Sequence, residues 1–228
     1  IKVFKDTPLV KILTGVRRCG KSTILQMLKE ELIRDGIPEE NIIEKRYTDM
    51  DIPENISAKQ MYDELIEAIG KKEPCYLLLD EIQEVPDWER VVNTLLEDGK
   101  ADIYITGSNS KLMSSEISTY LTGRYIQIPV FTLSFKEYVE FKKGGKLSDR
   151  EMLEEYIRFG GFPIIALGEY ESQQAYQIVN GIYYTVVSRD IVKRHRINKQ
   201  DLFDRVVKYI IENMGKTFSA NSISNFLK

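Results

Sequence analysis

The sequence predicts an α/β fold in which a parallel sheet of about five strands lies between layers of helices. Over residues 1–133, short apolar runs alternate with segments whose apolar residues recur at helical spacing, an order typical of parallel sheets covered on both faces. From Ser134 onward only helical patterns follow. The chain has 228 residues, of which 43% are apolar and 29% charged, so it can bury a sizeable core.

The predicted strands are short apolar runs. Tyr76 to Leu79 is the clearest, because four apolar residues follow one another after Pro74, as expected of a strand buried on both faces. The predicted strands are 9–14, 42–47, 76–79, 103–106 and 125–130. Helices are predicted between them over 21–34, 57–69 and 87–96, and Asp87 is expected to cap the third.

The second part of the chain is predicted to be helical throughout. Ser134 and Glu137 form a capping box at the start of its first helix. Further helices are predicted over 149–158, 173–194 and 199–214, the middle one weakened at Gly181. The charge also changes here, because Ser134 to Lys228 holds 15 Lys and Arg against 12 Asp and Glu, whereas the whole chain has a net charge of -3.

The composition excludes several classes of protein and site. One histidine and two cysteines are too few for a disulfide scaffold or a zinc module. The apolar runs are far shorter than the roughly 18 residues that span a bilayer, and no basic-then-apolar leader opens the chain. We therefore expect a cytoplasmic protein without membrane contact. Because the first residue is Ile1, we also expect a fragment of a longer protein.

The segment from Gly15 to Ser22 fits the phosphate-loop pattern G-x-x-x-x-G-K-[ST] and lies between a predicted strand and a predicted helix. Glycine at both ends lets backbone amides turn inward around an anion, and the helix start adds the positive end of its dipole. Lys21 would neutralise the outer phosphates of a nucleotide, and the Ser22 hydroxyl would bind magnesium. The predicted nucleotide-binding residues are Gly15, Val16, Arg17, Arg18, Cys19, Gly20, Lys21, Ser22 and Thr23.

An acidic pair follows the strand Tyr76 to Leu79. The carboxyl end of a parallel strand lies at the same edge of the sheet as the phosphate loop, so Asp80 and Glu81 are expected to lie near it. Asp80 would hold magnesium through its water shell. Glu81 would polarise the attacking water as a general base.

Two further polar groups are candidates for catalysis. Asn109, with Ser108 as second choice, follows the strand 103–106 and could orient the water or contact the γ-phosphate. Arg124 precedes the last strand and could stabilise transition-state charge as an arginine finger, acting on a nucleotide bound to a neighbouring subunit. This role for Arg124 implies a homo-oligomer.

The ordered set GVRRCGKS, YLLLDEIQ, TGSNS, LTGR and GGFP resembles the prokaryotic ATP-binding proteins of the AAA superfamily that carry a C-terminal domain of unknown function. The resemblance covers nearly all of the chain and implies ATP and Mg²⁺ as ligands, with the roles given above for Lys21, Ser22, Asp80 and Glu81. It implies a P-loop NTPase three-layer αβα sandwich over 1–133 with a five-stranded parallel sheet. A small helical lid would follow over 134–198, and 199–228 would start a winged-helix-like segment.

The sequence departs from many AAA-type ATPases in one respect. These proteins place a sensing arginine just after a Gly-x-Pro turn of the lid, whereas Gly161-Phe162-Pro163 is followed here by Ile164. Arg158 or Arg189 would have to take the place of that arginine.

These residues predict a magnesium-dependent ATPase that cleaves the β–γ phosphoanhydride bond, for a client that the sequence does not name. Three alternatives stay open: a small-molecule kinase, a nucleotide-dependent switch with little turnover, and a nucleic-acid-binding regulator that uses the basic stretch 189–199. A GTPase is rejected, because the N-K-x-D pattern at 198–201 lies far down the chain in a helical region.

Overall fold

The computed structural model describes residues 1–53, 55–108, 120–145, 147–192 and 197–227. Within these ranges the strands are β1 (Val10–Gly15), β2 (Ile42–Arg46), β3 (Tyr76–Asp80), β4 (Asp102–Ser108) and β5 (Tyr125–Pro129). The α-helices with both ends inside these ranges are α1 (Lys21–Arg34), α2 (Ala58–Ile69), α3 (Trp88–Glu97), α4 (Phe135–Phe141), α5 (Asp149–Phe159), α6 (Pro163–Leu167), α7 (Ser172–Thr185), α8 (Gln200–Glu212) and α9 (Ala220–Leu227). A π-helical stretch, Val186–Val192, follows α7 directly.

The strands form one sheet in the order β2-β3-β4-β1-β5, and every neighbouring pair is parallel. The carboxyl ends of the strands therefore share one edge of the sheet, the carboxyl edge, where open α/β sheets bind their ligands. Strand β4 lies between β1 and β3, although it follows both in the chain. The predicted α/β fold with a five-stranded parallel sheet is confirmed.

The core consists of two apolar clusters, one on each face of the sheet. Successive residues of a strand point to opposite faces, so Ile12 and Leu77 pack with α2 and α3, whereas Leu13 and Leu78 pack with α1. Trp88 is only 4% exposed and belongs to the first cluster. This packing gives the three layers that the sequence predicted.

The helix starts differ in how they are capped. Ser57, Ser134 and Ser148 each close a complete capping box with the residue three positions later. The predicted side-chain cap by Asp87 is wrong, because the Asp87 side chain makes no capping hydrogen bond. Asp87 has a φ of 56°, in the left-handed region, whereas a capping side chain needs the extended backbone of the usual N-cap.

The chain forms two compact units, Ile1–Gln177 and Ile178–Lys228. In the second unit, Tyr209 of α8 packs against the rings of Phe218 and Phe226, at centroid distances of 6.1 and 4.8 Å. The three-part division at residues 133 and 198 stays a prediction. Among the described residues, no helix combines the length and apolar character needed to cross a membrane.

Candidate functional site

The phosphate loop begins where β1 ends at the carboxyl edge and finishes where α1 begins at Lys21. The structure explains why glycine occupies both glycine positions of the pattern. A Cβ atom on Gly15 would lie 2.3 Å from the backbone oxygen of Val130 and 2.7 Å from Sγ of Cys19, so no larger residue fits there. Gly20 has a φ of 105°, which side chains other than glycine rarely adopt.

Lys21 is buried in the loop, with 5% of its surface exposed. Its Nζ donates hydrogen bonds to the backbone oxygens of Gly15 and Val16, each at 3.1 Å. Both acceptors are neutral, so these two bonds orient the ammonium group without cancelling its charge. The loop therefore holds a buried positive charge at the start of α1.

The remaining side chains of the loop divide into buried and exposed groups. Cys19 is buried, and burial raises the pKa of its thiol while the nearby charge of Lys21 lowers it in part. The thiol is therefore neutral near pH 7 and fills space next to the β1 backbone. Arg18 is exposed and has a φ of 63°, and Ser22 and Thr23 are exposed on the first turn of α1.

The acidic pair lies at the same edge, at the end of β3. Asp80 is only 4% exposed, and its two oxygens have different partners. Oδ1 accepts a hydrogen bond from the hydroxyl of Thr106 on β4, and Oδ2 accepts one from Nε of Arg46 at 3.2 Å. The Thr106 hydroxyl also accepts the backbone N–H of Glu81 at 3.2 Å. One threonine on the intervening strand thus holds both members of the acidic pair.

Glu81 leaves the strand in an unusual conformation. Its φ of 53° lies in the left-handed region, which turns the chain sharply after β3. The carboxylate is half-buried and accepts a hydrogen bond from Nε2 of Gln83. Glu81 therefore stands at the carboxyl edge with its carboxylate oriented by its own loop.

The register of the sheet relates the two motifs. Gly15 of β1 lies opposite Ser108 of β4, and Leu79 of β3 lies opposite Ile105 of β4. Two strand spacings separate β1 from β3, a distance of about 10 Å. The phosphate loop and the acidic pair thus face each other across the end of β4.

A cavity of about 450 Å³ opens at this edge, within the range of roughly 300–1,000 Å³ that ligand pockets usually have. Polar residues of the phosphate loop, α1 and the β3 end form one side of it. Residues of α6 and the segment after it form the other. The described lining residues are Arg18, Gly20, Lys21, Ser22, Thr23, Glu81, Pro163, Ile164, Leu167, Gly168 and Tyr170.

The structure does not bring Arg124 to this cavity. The Arg124 backbone oxygen accepts the N–H of Val10, the first residue of β1, so it lies about 17 Å from Gly15 along the strand. Its guanidinium donates to Glu97 at 2.6 Å and to Asn93 at 3.4 Å, and the bond from Arg124 lowers the pKa of Glu97. Within one chain, Arg124 belongs to the opposite edge of the sheet.

The other predicted groups are placed as follows. Asn109 and the basic residues 193–196 lie outside the described residues, whereas Ser108 ends β4 opposite Gly15. Arg158 is exposed, with its guanidinium 5.2 Å from the ring centroid of Phe159, and it does not appear among the described residues lining the cavity.

Three groups at the site were missed by sequence reasoning. Thr106 was noted only as the end of a strand, and Arg46 was not considered. Their contacts with Asp80 depend on strand order, which no local pattern encodes. The role of α6 as a cavity wall was also missed, although the Gly-Phe-Pro turn marked where that helix begins.

The donor set of the site suits magnesium. Ser22 offers a hydroxyl and Asp80 a carboxylate, and Mg²⁺ prefers oxygen ligands, usually one or two carboxylates together with phosphate oxygens. Both Asp80 oxygens already accept hydrogen bonds, and an acceptor of this kind can bind a cation through its water shell.

Two proteins from other organisms are similar in sequence to nearly the whole of this chain. A protein from Haemophilus influenzae named only "Uncharacterized protein" is 34% identical, aligned over 98% of this chain and 56% of its own. "Uncharacterized protein MJ1544" of Methanocaldococcus jannaschii is 33% identical over 96% of this chain and 50% of its own. The chain thus spans about half the length of the curated relatives it matches.

Two solved structures are also similar. One is a DNA polymerase III gamma subunit-related protein from Thermotoga maritima, with 12% identity, a TM-score of 0.42 and coverage of 99% of this chain and 89% of that one. The other is AMPPCP-bound DnaA from Aquifex aeolicus, with 14% identity, a TM-score of 0.45 and coverage of 95% and 69%.

Two family models match the sequence. Residues 150–228 match a family described as a domain of unknown function. Residues 7–139, which include the phosphate loop, the acidic pair and the whole sheet, match the family described as the AAA domain. Because that match covers more than half of the chain, this protein belongs to the AAA domain family.

Proposed function

We propose that this protein binds ATP with Mg²⁺ and hydrolyses the β–γ phosphoanhydride bond by in-line attack of water. The observation that carries the proposal is the cavity at the carboxyl edge. Lys21, Ser22 and Thr23, which follow β1, line this cavity together with Glu81, which follows β3. A triphosphate needs a cation and a loop of amides, and hydrolysis needs a base. The cavity offers both sets of groups within about 10 Å.

Binding depends on the phosphate loop. The backbone amides between Gly15 and Gly20 surround the phosphates, and Lys21 exchanges its two carbonyl contacts for the β- and γ-phosphate oxygens. Ser22 and Asp80 hold the magnesium ion, which supplies neutralisation of the phosphate charge. Hydrogen bonds from Arg46 and from the Thr106 hydroxyl keep the Asp80 carboxylate in position.

Hydrolysis depends on Glu81. Its carboxylate accepts a hydrogen bond from Gln83, leaving further lone pairs to take a proton from a water in the cavity. Asn109 orients that water. We place this reaction in the cytoplasm. ATP hydrolysis would move the proposed lid, 134–198, and the proposed winged-helix-like segment from 199 onward.

Arg124 completes the site in a homo-oligomer. It lies too far from the cavity of its own chain, and within the described part of the chain its exposed guanidinium donates to Glu97 and Asn93 at the surface. A neighbouring chain that presents its cavity to this edge would receive a positive charge at the γ-phosphate.

The test is ATP turnover and ATP binding in Glu81→Gln, with Glu67→Gln as the matched control. Glu67 is exposed on α2, away from the cavity. We expect Glu81→Gln to bind ATP with unchanged affinity but to lose turnover by about 100-fold or more, because general-base catalysis contributes roughly 10²–10⁴-fold. Unchanged turnover in Glu81→Gln, or equal loss in the control, would contradict the assignment of Glu81. An absence of ATP binding by the wild type would contradict the whole proposal.

A further inference from the structure

The cavity has a second side whose chemistry differs from that of the phosphate loop. Pro163, Ile164, Leu167 and Tyr170 form this side, which we call the apolar wall. Lys21 and Ser22 supply polar groups to the lining of the same cavity. A nucleotide is divided in the same way, because its phosphates are charged whereas the faces of its base are apolar. The cavity therefore offers a polar half for one end of the ligand and an apolar half for the other.

The apolar wall adjoins the phosphate loop at Pro163. The Cγ atom of Pro163, the first residue of α6, lies 3.9 Å from where a Cβ of Gly20 would be. Just before α6, the backbone oxygen of Gly161 accepts the N–H of Leu133 at 2.7 Å, which ties the wall to the segment that follows β5. The ring of Pro163 thus lies next to Gly20 of the phosphate loop, and a backbone hydrogen bond fixes the turn that precedes α6.

Tyr170 is the last of the wall residues in the chain, and its ring packs against the backbone of Gly168. A Cβ atom on Gly168 would lie 2.1 Å from Cε2 and 2.7 Å from the hydroxyl oxygen of Tyr170, so the ring covers the bare backbone of Gly168. The backbone of Gly168 is extended, with φ −97° and ψ 157°, a conformation open to any residue. A larger residue at 168 would therefore displace the ring of Tyr170, although the backbone there is unstrained.

We propose that Tyr170 is a nucleotide-binding residue that stacks its ring on the base of the bound nucleotide; this rests on the proposed function. Among the eleven described residues that line the cavity, Tyr170 alone carries an aromatic ring. Stacking on an aromatic side chain is tolerant of base identity, because every base presents a π face. Tyr170 therefore adds affinity for ATP and for GTP alike, and other groups must choose between them.

The experiment compares two ligands by calorimetric titration of the full chain with magnesium present: ATP, and inorganic tripolyphosphate, which has the phosphates but no base. For Tyr170→Ala we expect ATP affinity to fall between about 5-fold and 100-fold, as alanine substitution at stacking positions does. Tripolyphosphate affinity should stay within about twofold of wild type. Tyr170→Phe keeps the ring and should bind both ligands as wild type does.

A second variant moves the ring without removing it. Gly168→Ala places a methyl group where the ring of Tyr170 now lies, so it should lower ATP affinity and spare tripolyphosphate affinity. The matched control is Tyr176→Ala, because Tyr176 is 60% exposed on α7 and does not line the cavity. This control should leave both affinities unchanged.

The outcomes separate the inference from the proposed function. If Tyr170→Ala lowers both affinities equally, Tyr170 supports the phosphate loop and the stacking role is wrong. If Tyr170→Ala changes neither affinity, the stacking role is also wrong. If the wild type binds tripolyphosphate as tightly as ATP, the base makes no contact and the inference fails while phosphate binding stands. If the wild type binds neither ligand, the proposed function fails and the inference fails with it.

Discussion

The hydroxyl of Thr106 joins the two acidic residues of the site, so its removal gives a sharp test of how the site is built. Thr106→Val keeps the shape of the side chain but removes the bond to Asp80 and the acceptor for the Glu81 N–H. A hydrogen bond to a charged group contributes about 1.5–3 kcal/mol and a neutral one about 0.5–1.5 kcal/mol. Because Thr106 is fully buried, water cannot replace either bond, and we expect a loss of about 2–4 kcal/mol in the free energy of unfolding.

Urea unfolding followed by the fluorescence of Trp88, the single tryptophan of the chain, measures this loss. Trp88 is buried in the first unit, which also contains Thr106. With a dependence of about 2 kcal/mol per molar urea, the midpoint should fall by about 1–2 M. ATP turnover should fall about 10-fold to 100-fold, because small misplacements of reacting groups are costly.

Two control variants test whether the effect comes from the Thr106 hydroxyl itself and not from any change at residue 106 or from the loss of any threonine hydroxyl. Thr106→Ser keeps the hydroxyl and removes one methyl group, so it should cost only about 1 kcal/mol and retain most turnover. Thr94→Val removes a hydroxyl that donates to the backbone oxygen of Arg90 on the exposed side of α3, and it should change stability by less than about 0.5 kcal/mol. The reasoning is refuted if Thr106→Val unfolds at the wild-type midpoint, or if Thr106→Ser is as damaging as Thr106→Val.

Three further predictions follow from the same structure. Gly15→Ala should destabilise by about 1–3 kcal/mol because its Cβ would lie 2.3 Å from a backbone oxygen, whereas Gly181→Ala, with open space in α7, should stabilise by about 0.5–1 kcal/mol; equal urea midpoints for the two variants would contradict this. Burial raises the pKa of Cys19, so iodoacetamide should label native Cys19 slowly near pH 8 and faster only as the pH rises, with the mass of the labelled peptide as readout. The same shift means that ionisation of this thiol in the unfolded chain lowers stability above the ordinary thiol pKa, and labelling of Cys19 at the rate of a free thiol would count against burial. Mixing Arg124→Ala into wild type should reduce ATP turnover out of proportion to the mutant fraction, whereas Arg150→Ala, which removes another exposed ion pair, should not; strictly additive rates would refute a shared site.

The helices and strands were largely predictable from the sequence, and two of them show where such prediction reaches its limit. Strand β4 was expected over 103–106 but runs over Asp102–Ser108, since pairing with β1 continues as far as Gly15 opposite Ser108. The long helix expected over 173–194 continues as α-helix through Gly181 and changes to π-helical geometry at Val186. For β4, pairing with the neighbouring strand, and not local composition, decides where the element ends.

The candidate site was predictable for the residues that lie within one motif. The phosphate loop follows from the spacing of Gly15, Gly20 and Lys21, because its chemistry comes from consecutive backbone amides and one adjacent lysine. Asp80 and Glu81 follow from a buried strand that ends in two carboxylates. Their expected meeting at one edge needed only parallel pairing, which the alternation of strands and helices already indicates.

What the sequence by itself determined is therefore the identity of each motif and the edge of the sheet to which it belongs. Hydrophobic periodicity and the pattern of glycine and lysine act over a few residues, so they can be recognised in the chain without its fold. The tertiary structure alone decided the lateral partners: Thr106 and Arg46 lie beside Asp80, Arg124 lies at the far edge, and Tyr170 lines the same cavity as Lys21. Those neighbours depend on the order of the strands and on the packing of α6. Both result from many contacts between residues far apart in the chain, so no short sequence pattern predicts them.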